Sequence, residues 1–326
     1  MQKIKSKIKV GVVGAGHLGK IHLDILNQSD LYELIGFYDD NKNHSSKISS
    51  EFGYRNFKSL KDLISSCEMI DIVTPTKYHY EIAVKCIKAK KNIFIEKPIS
   101  HSYKSAKKLI DILKKNNVLG QVGHVERFNP AFVAVKKTIN KPMFIESHRL
   151  SEFNQRGTDV PVVLDLMIHD IDIIMESVKS KVKEVSGVGV SIMSKTPDIA
   201  NARIEFENGC VANLTASRIS LKNMRKTRFF QKDAYISIDF LKKKSEIIKI
   251  KKLNLKTDKS ALILQNFEGE KKQIYFDSPT IENTNAIQDE LESFAKSINN
   301  KKKPEVTFEQ AAEALRIAEL IIKSFQ

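Results

Sequence analysis

The chain has 326 residues, with 54 Lys and Arg against 39 Asp and Glu and a formal net charge of +15. Its length supports two domains with sizeable cores, no apolar window reaches the length of a membrane span, and the opening MQKIKSKIKV lacks the apolar core of a secretion signal, so a cytoplasmic chain without a membrane partner is expected. Three isolated cysteines, Cys67, Cys86 and Cys210, argue against both a disulfide framework and a zinc site, and no metal is expected.

Lysines are spread over nearly every predicted element, and runs such as 242–244 and 301–303 lack interleaved aromatics. They read as solvated faces rather than a nucleic-acid groove, so no nucleic-acid partner is expected, although the surplus charge would help attract an anionic small molecule.

Residues 8–13 are almost wholly apolar and predict a strand buried on both faces. Gly14, Gly16 and Gly19 follow at GxGxxG spacing, before a helical pattern through Leu18, Ile21, Ile25 and Leu26. Gly14 would permit the tight turn, Gly16 the close approach of a pyrophosphate, and Gly19 close packing of helix on strand. A second apolar run, 34–38, ends in Asp39, 20 residues after Gly19, where a carboxylate would accept ribose hydroxyls and repel a 2′-phosphate. NAD is therefore expected rather than NADP; the plainer alternative is a strand and helix with ordinary turn glycines and a surface Asp.

Strands predicted at 8–13, 34–38, 69–73, 92–95 and 118–122 alternate with helical segments that include 45–52, 78–90 and 102–115. Strict alternation implies parallel strands with right-handed crossovers, a doubly wound sheet that binds ligands beyond its carboxyl ends. Three of those ends carry informative residues: the loop from Gly14 to Gly19 with His17 and Leu18, the stretch TPTKYH with Thr74, Pro75 and His79, and Glu96, Lys97 and Pro98.

After residue 123 the pattern changes. Helices predicted at 130–139 and 162–178 give way to β-rich segments at 182–192, 202–206, 210–217, 226–231, 235–240, 246–251 and 272–275, several joined by turn signals such as Asn208-Gly209. Short connections read as one antiparallel, largely open sheet, with one face for helices and one for solvent or self-association. Two helices close the chain, at 283–297 and 308–324, the second opened by a capping box of Thr307 and Gln310. The expected fold is α/β: a Rossmann-type doubly wound parallel sheet over 1–123 and an α+β domain with a large, mostly antiparallel open sheet over 124–326.

Within VVLDLMIHDIDIIM, Asp165, His169 and Asp172 fall at i, i+4 and i+7 of the predicted helix and form one polar stripe on an apolar background. The stripe could be the wet side of an amphipathic helix, which Glu176 would extend. Against that, residues 157–178 contain no Lys or Arg in a chain where about one residue in six is basic. Lys97, at a strand end and followed by Pro98, could hold a substrate hydroxyl or the nicotinamide ribose, or be one more surface lysine.

GAGHLGKIH, TPTKYH, IEKP, HVERFNP and LDLMIHDID, in this order, resemble the Gfo/Idh/MocA family of NAD(P)-dependent sugar and cyclitol oxidoreductases along essentially the whole chain. The resemblance implies a Rossmann domain, an α+β domain whose open sheet mediates homodimers or homotetramers, and an active site completed by Lys97, Asp165 and His169. Where the family often carries glycines around that aspartate, this chain has Pro161, Val162, Val163 and Met167. HVERFNP with LDLMIHDID is most similar to the branch that oxidises UDP-N-acetylglucosamine at C3, whose ketone some bacteria transaminate on the way to lipid A, so an aminotransferase is an implied pathway partner. His169 is then expected as general base, with Asp165 orienting it or contacting substrate and Lys97 polarising the reacting oxygen. Arg127, Arg149 and Arg156 are candidates for the diphosphate, each with an ordinary surface or ion-pair role as its alternative, and Asp172 is a further candidate for substrate. The competing readings are a free-sugar or inositol dehydrogenase of the same family and a non-catalytic NAD-binding sensor.

Overall fold

The computed structural model describes residues 6–154, 160–252, 262–265 and 269–325. They divide into two compact units, one of Met1–Val125 with Asn285–Arg316, the other of Glu126–Thr284 with Ile317–Gln326.

In the first unit, β1 (Ile8–Val13), β2 (Tyr32–Tyr38), β3 (Met69–Ile72), β4 (Asn92–Glu96) and β5 (Gly120–Gly123) form a parallel sheet in the order β2-β1-β3-β4-β5. Connections are made by α1 (His17–Gln28), α2 (Lys42–Phe52), α3 (Leu60–Ser66), α4 (Thr76–Lys88) and α5 (Tyr103–Asn116). The near-continuous burial of β3 and β4 is what a parallel sheet covered on both faces requires. Local chemistry sets the helix ends: Asn41 accepts the His44 N–H at the start of α2, Ser102 the Ser105 N–H at the start of α5, and Gly53 and Asn117 leave both helices in the left-handed conformation.

The second unit begins at a 3-10 turn, Val125–Phe128, and α6 (Pro130–Val135), which Asn129 caps by accepting the Ala131 N–H. Then come β6 (Phe144–Leu150), a π turn at Val163–Met167, α7 (Ile168–Val178) and the strands β7 (Val182–Val190), β8 (Ile199–Phe206), β9 (Val211–Ser217), β10 (Met224–Gln231), β11 (Ala234–Asp239), β12 (Lys244–Lys252), β13 (Leu262–Gln265) and β14 (Lys271–Asp277). They form a nine-stranded sheet in the order β13-β14-β12-β11-β10-β6-β9-β8-β7, antiparallel except where β6 runs parallel to β9. One face buries Ile145, Ala202, Ile204, Leu214, Phe229, Ile236 and Ile238. The other carries a cluster of Phe144, Phe230 and Tyr235, with ring centroids 5.8 and 5.1 Å apart.

Two expectations are corrected. The helix expected over 162–178 begins as a π turn, in which the Ile168 N–H reaches the Val163 carbonyl, five residues back. The chain after residue 284 does not stay with the second domain either. In α8 (Ala286–Asn300), Leu291, Phe294 and Ala295 are buried in the first unit's core with Val10, Val12, Leu26, Met69 and Phe94. α9 (Phe308–Lys323) is shared, its residues up to Arg316 counted with the first unit and those from Ile317 with the second.

Candidate cofactor groove and polar helix

The glycine loop follows β1 at the carboxyl edge of the first sheet. Gly14 has φ +96°, and a Cβ there would lie 2.6 Å from the Val73 carbonyl oxygen; a Cβ on Gly19 would run into the Gly14 carbonyl. These two glycines are required by the protein's own packing. Gly16 is different: it is exposed, and a Cβ on it would meet no atom within 4 Å. As N-cap of α1 it also brings no side-chain oxygen to the first helical amides, which leaves them for an anion.

Asp39 ties the loop to the end of β2. Its carboxylate accepts the Ala15 N–H at 2.8 Å on one oxygen and the Asn41 N–H at 3.0 Å on the other, leaving further lone pairs on both for ribose hydroxyls. His44 on α2 donates from Nε2 to the Ala15 carbonyl at 2.9 Å. A cleft of about 420 Å³ opens beside Asp39, lined by Tyr38, Lys42, Ser45, Asn56 and Phe57 among others. An open path over Gly16, uncapped amides and a two-oxygen acceptor 20 residues after Gly19 fit a dinucleotide; among the described residues no group of His, Cys, Asp or Glu fits a metal.

At the neighbouring strand ends Thr74 and Lys97 are partly exposed, as is Leu18, while Pro75 and His17 are exposed. His79, expected to touch cofactor, does not do so with its ring: it is 1 % exposed, and its Nδ1 and Nε2 lie 2.9 Å from the Pro98 carbonyl and 2.7 Å from the Thr74 carbonyl. It braces the segment after β3 against the one after β4, and burial pushes its basicity below the usual imidazole range. Glu96 likewise turns its carboxyl inward, toward His22 of α1, and accepts the Lys97 N–H.

In the second unit the polar residues of 162–178 separate into two sets. Asp165 on the π turn and His169 in the first turn of α7 are partly exposed. Asp170 and Asp172 are buried, and each is held by an arginine fork. Arg149 of β6 donates Nε and Nη2 to Asp170 at 2.9 and 3.0 Å, and Nη1 to Glu126 at 2.8 Å. Arg127 donates Nε and Nη2 to Asp172 at 2.7 and 2.8 Å, and Nη1 to Glu176 at 2.7 Å. The carboxylates raise the Arg149 pKa against the cost of its burial.

Arg127 and Arg149, candidates for a diphosphate, are thus ion-pair arginines with guanidiniums committed to carboxylates, and Asp172 is the counter-ion of Arg127 rather than a substrate ligand. Arg156 lies outside the described residues. The same network accounts for HVERFNP: Asn129 donates to Glu126 and to the Phe240 carbonyl, and Pro130 opens α6. The sequence reading did not single out His22 and Asp71, buried with Nδ1 and Oδ2 2.9 Å apart; a lone Asp inside the apolar run 69–73 was the available signal.

Residues 8–124 match the family model described as oxidoreductase family, NAD-binding Rossmann fold, and residues 115–326 the model for its C-terminal alpha/beta domain. The chain is 33% identical over 235 residues to the UDP-N-acetylglucosamine 3-dehydrogenase of Acidithiobacillus ferrooxidans, spanning 72% of this chain and 74% of that one. A crystal form of the A. ferrooxidans enzyme superposes with a TM-score of 0.88 at 26% identity, covering 98% of both chains. The scyllo-inositol 2-dehydrogenase (NAD(+)) of Bacillus subtilis is 27% identical over 240 residues, 67% of this chain and 69% of its own.

Proposed function

The chain belongs to the Gfo/Idh/MocA oxidoreductase family and is an NAD(P)-dependent dehydrogenase acting on CH-OH groups, and on that premise we propose that it oxidises UDP-N-acetylglucosamine at C3 to the 3-keto sugar. What carries the reading is its likeness to the A. ferrooxidans dehydrogenase over almost its whole length. Bound nicotinamide supplies the hydride acceptor. Gly14, Gly16, Gly19 and Asp39 hold the dinucleotide, and the Asp39 carboxylate favours NAD over NADP by repelling a 2′-phosphate. His169 takes the hydroxyl proton, the part that imidazole most often plays in general base catalysis. Asp165, four residues earlier, stabilises the imidazolium, and Lys97 donates to the oxygen that gains negative charge.

In this reading the enzyme is cytoplasmic, its product is taken up by an aminotransferase for lipid A or a surface polysaccharide, and it works as a homodimer or homotetramer. The outward Phe144, Phe230 and Tyr235 cluster and exposed Val188 and Val190 support assembly through the open sheet. The likeness to scyllo-inositol 2-dehydrogenase favours a free cyclitol or sugar as second reading. Purified protein incubated with NAD and a panel of UDP-sugars, free hexoses and inositols decides, by absorbance of the reduced cofactor. Turnover confined to UDP-N-acetylglucosamine is expected; turnover of an inositol but no UDP-sugar, or NAD binding without turnover, overturns it. His169→Ala should lower kcat by about 10²- to 10⁴-fold with NAD affinity retained.

A further inference from the structure

The glycine loop is held from the side by the segment that joins β2 to α2. The Gly14 N–H donates to the Tyr38 carbonyl at 2.9 Å. The Ala15 N–H goes to Asp39 Oδ2 at 2.8 Å and the Ala15 carbonyl accepts from His44 Nε2 at 2.9 Å, so Ala15 is clamped through both of its backbone polar groups. The anchors are themselves tied together. Asp39 Oδ1 accepts the Asn41 N–H at 3.0 Å, and the Asn41 side chain, capping α2, accepts the His44 N–H at 3.0 Å. Asp39, Asn41 and His44 thus act on the loop as one piece, at the spacing D-x-N-x-x-H.

Ala15 is fully buried while Gly16 is exposed. A buried carbonyl needs a donor, and His44 supplies one, but the bond also fixes a direction. In a trans peptide the C=O and the following N–H lie on opposite sides of one plane, so the Ala15 carbonyl drawn toward α2 sends the Gly16 N–H the other way. Without the ring the buried carbonyl loses this donor, and the Ala15–Gly16 peptide can turn over to find another. That turn carries φ at residue 16 from −63° into the positive region, which glycine enters freely. It puts a carbonyl oxygen in place of an N–H on the face turned away from α2, and an oxygen there repels an anion where an amide attracts one.

We propose that His44 is a positioning residue for the cofactor diphosphate: it locks the Ala15–Gly16 peptide with its N–H toward the ligand, beside the first amides of α1. Gly16 clears the path of the diphosphate, and for the same reason leaves the peptide before it free to flip; the ring on α2 removes that freedom from outside. Asp39 holds the other side of Ala15 while keeping lone pairs for ribose hydroxyls, so the short segment 39–44 sets both the ribose acceptor and the diphosphate loop. His44 acts through Ala15 and not on the cofactor itself. That role rests on the groove being the dinucleotide site described above, and on no assignment of catalytic residues.

Wild type, His44→Leu, His44→Asn and His44→Gln are checked for folding by urea unfolding of the apo proteins and then titrated with NADH by fluorescence, with ADP-ribose and adenosine as competitors. Gln places an amide nitrogen about where the imidazole Nε2 lies and can donate to the Ala15 carbonyl, Asn reaches only as far as Nδ1, and Leu fills the space with no donor. NADH and ADP-ribose should each bind about tenfold more weakly to His44→Leu and His44→Asn, the loss of about one hydrogen bond to a charged group, and within about threefold of wild type in His44→Gln. Adenosine has no phosphate, and its affinity should stay within about twofold throughout. Equal NADH affinity in wild type and His44→Leu overturns the proposal. So does His44→Gln binding NADH no tighter than His44→Asn, and so does a loss that adenosine shares, which would mark damage to the whole groove. If His44→Leu does not fold, the Asn and Gln variants decide by those same two comparisons. A wild type that binds no NADH would overturn the reading of the groove itself, and the lock with it.

Discussion

Replacing Gly16 with alanine separates a glycine kept for a ligand from one kept for packing. Gly16 sits at φ −63° and ψ −165°, a conformation open to any residue, and its added methyl would meet no atom within 4 Å. Apo Gly16→Ala should therefore fold as wild type or gain about 0.4–1 kcal/mol, the usual effect of restricting an unfolded chain at a compatible site. Gly19→Ala is the contrast, since its methyl would overlap the Gly14 carbonyl, a backbone atom that cannot swing away. Overpacking of that kind costs about 1–3 kcal/mol. If a diphosphate crosses Gly16, the same harmless methyl occupies its path, and affinity should fall at least about tenfold, or 1.4 kcal/mol. Urea unfolding of the apo proteins measures the first effect. Titration of NADH fluorescence measures the second, without energy transfer from tryptophan because the chain has none. Gly16→Ala binding NADH within twofold of wild type would refute the groove as drawn.

Arg127→Met takes both fork bonds from the buried Asp172 carboxylate and should cost about 3–5 kcal/mol in urea unfolding, much of it recovered by adding Asp172→Asn; a loss under about 1 kcal/mol would contradict a desolvated fork. Burial pushes the Cys67 and Cys86 thiols up to about 12 from 9.0. They should resist a disulfide reagent at pH 8 until the protein unfolds. Because their folded pKa values lie above the unfolded ones, the stability they contribute is whole below pH 9 and lost as pH rises toward 12, so the urea midpoint should fall over that window. Asp39→Ala should raise the NADP-to-NAD ratio of kcat/KM about tenfold or more, and an unaltered ratio would remove Asp39 from the ribose.

The parallel sheet was legible because its strands are apolar throughout and its turns are punctuated by glycines at fixed spacing. β6 was not. Its inward positions are Ile145, Ser147 and Arg149, and an arginine facing a core breaks the apolar alternation that marks a strand. Only the carboxylates of Glu126 and Asp170, from segments far apart in sequence, make that inward arginine tolerable. The same distance effect hid the roles of Arg127 and Asp172, since residue type announces a charge but not whether a partner has already claimed it. Asp165 and His169 were picked out by spacing and by the absence of lysine around them, though the π turn that carries Asp165 has no sequence signature. His79 was placed at the right strand end with the wrong duty, because a motif position does not say which way a ring faces.

The paired forks on α7 also constrain how this molecule can drift. A neutral change at Asp170 or Asp172 takes two bonds from a buried guanidinium and leaves it the single bond to Glu126 or Glu176, and a change at either arginine takes both fork bonds from a buried carboxylate, so each step alone is costly. Divergent copies are expected to inherit each fork as a block, keeping both halves or exchanging both, while exposed positions are free to vary one residue at a time.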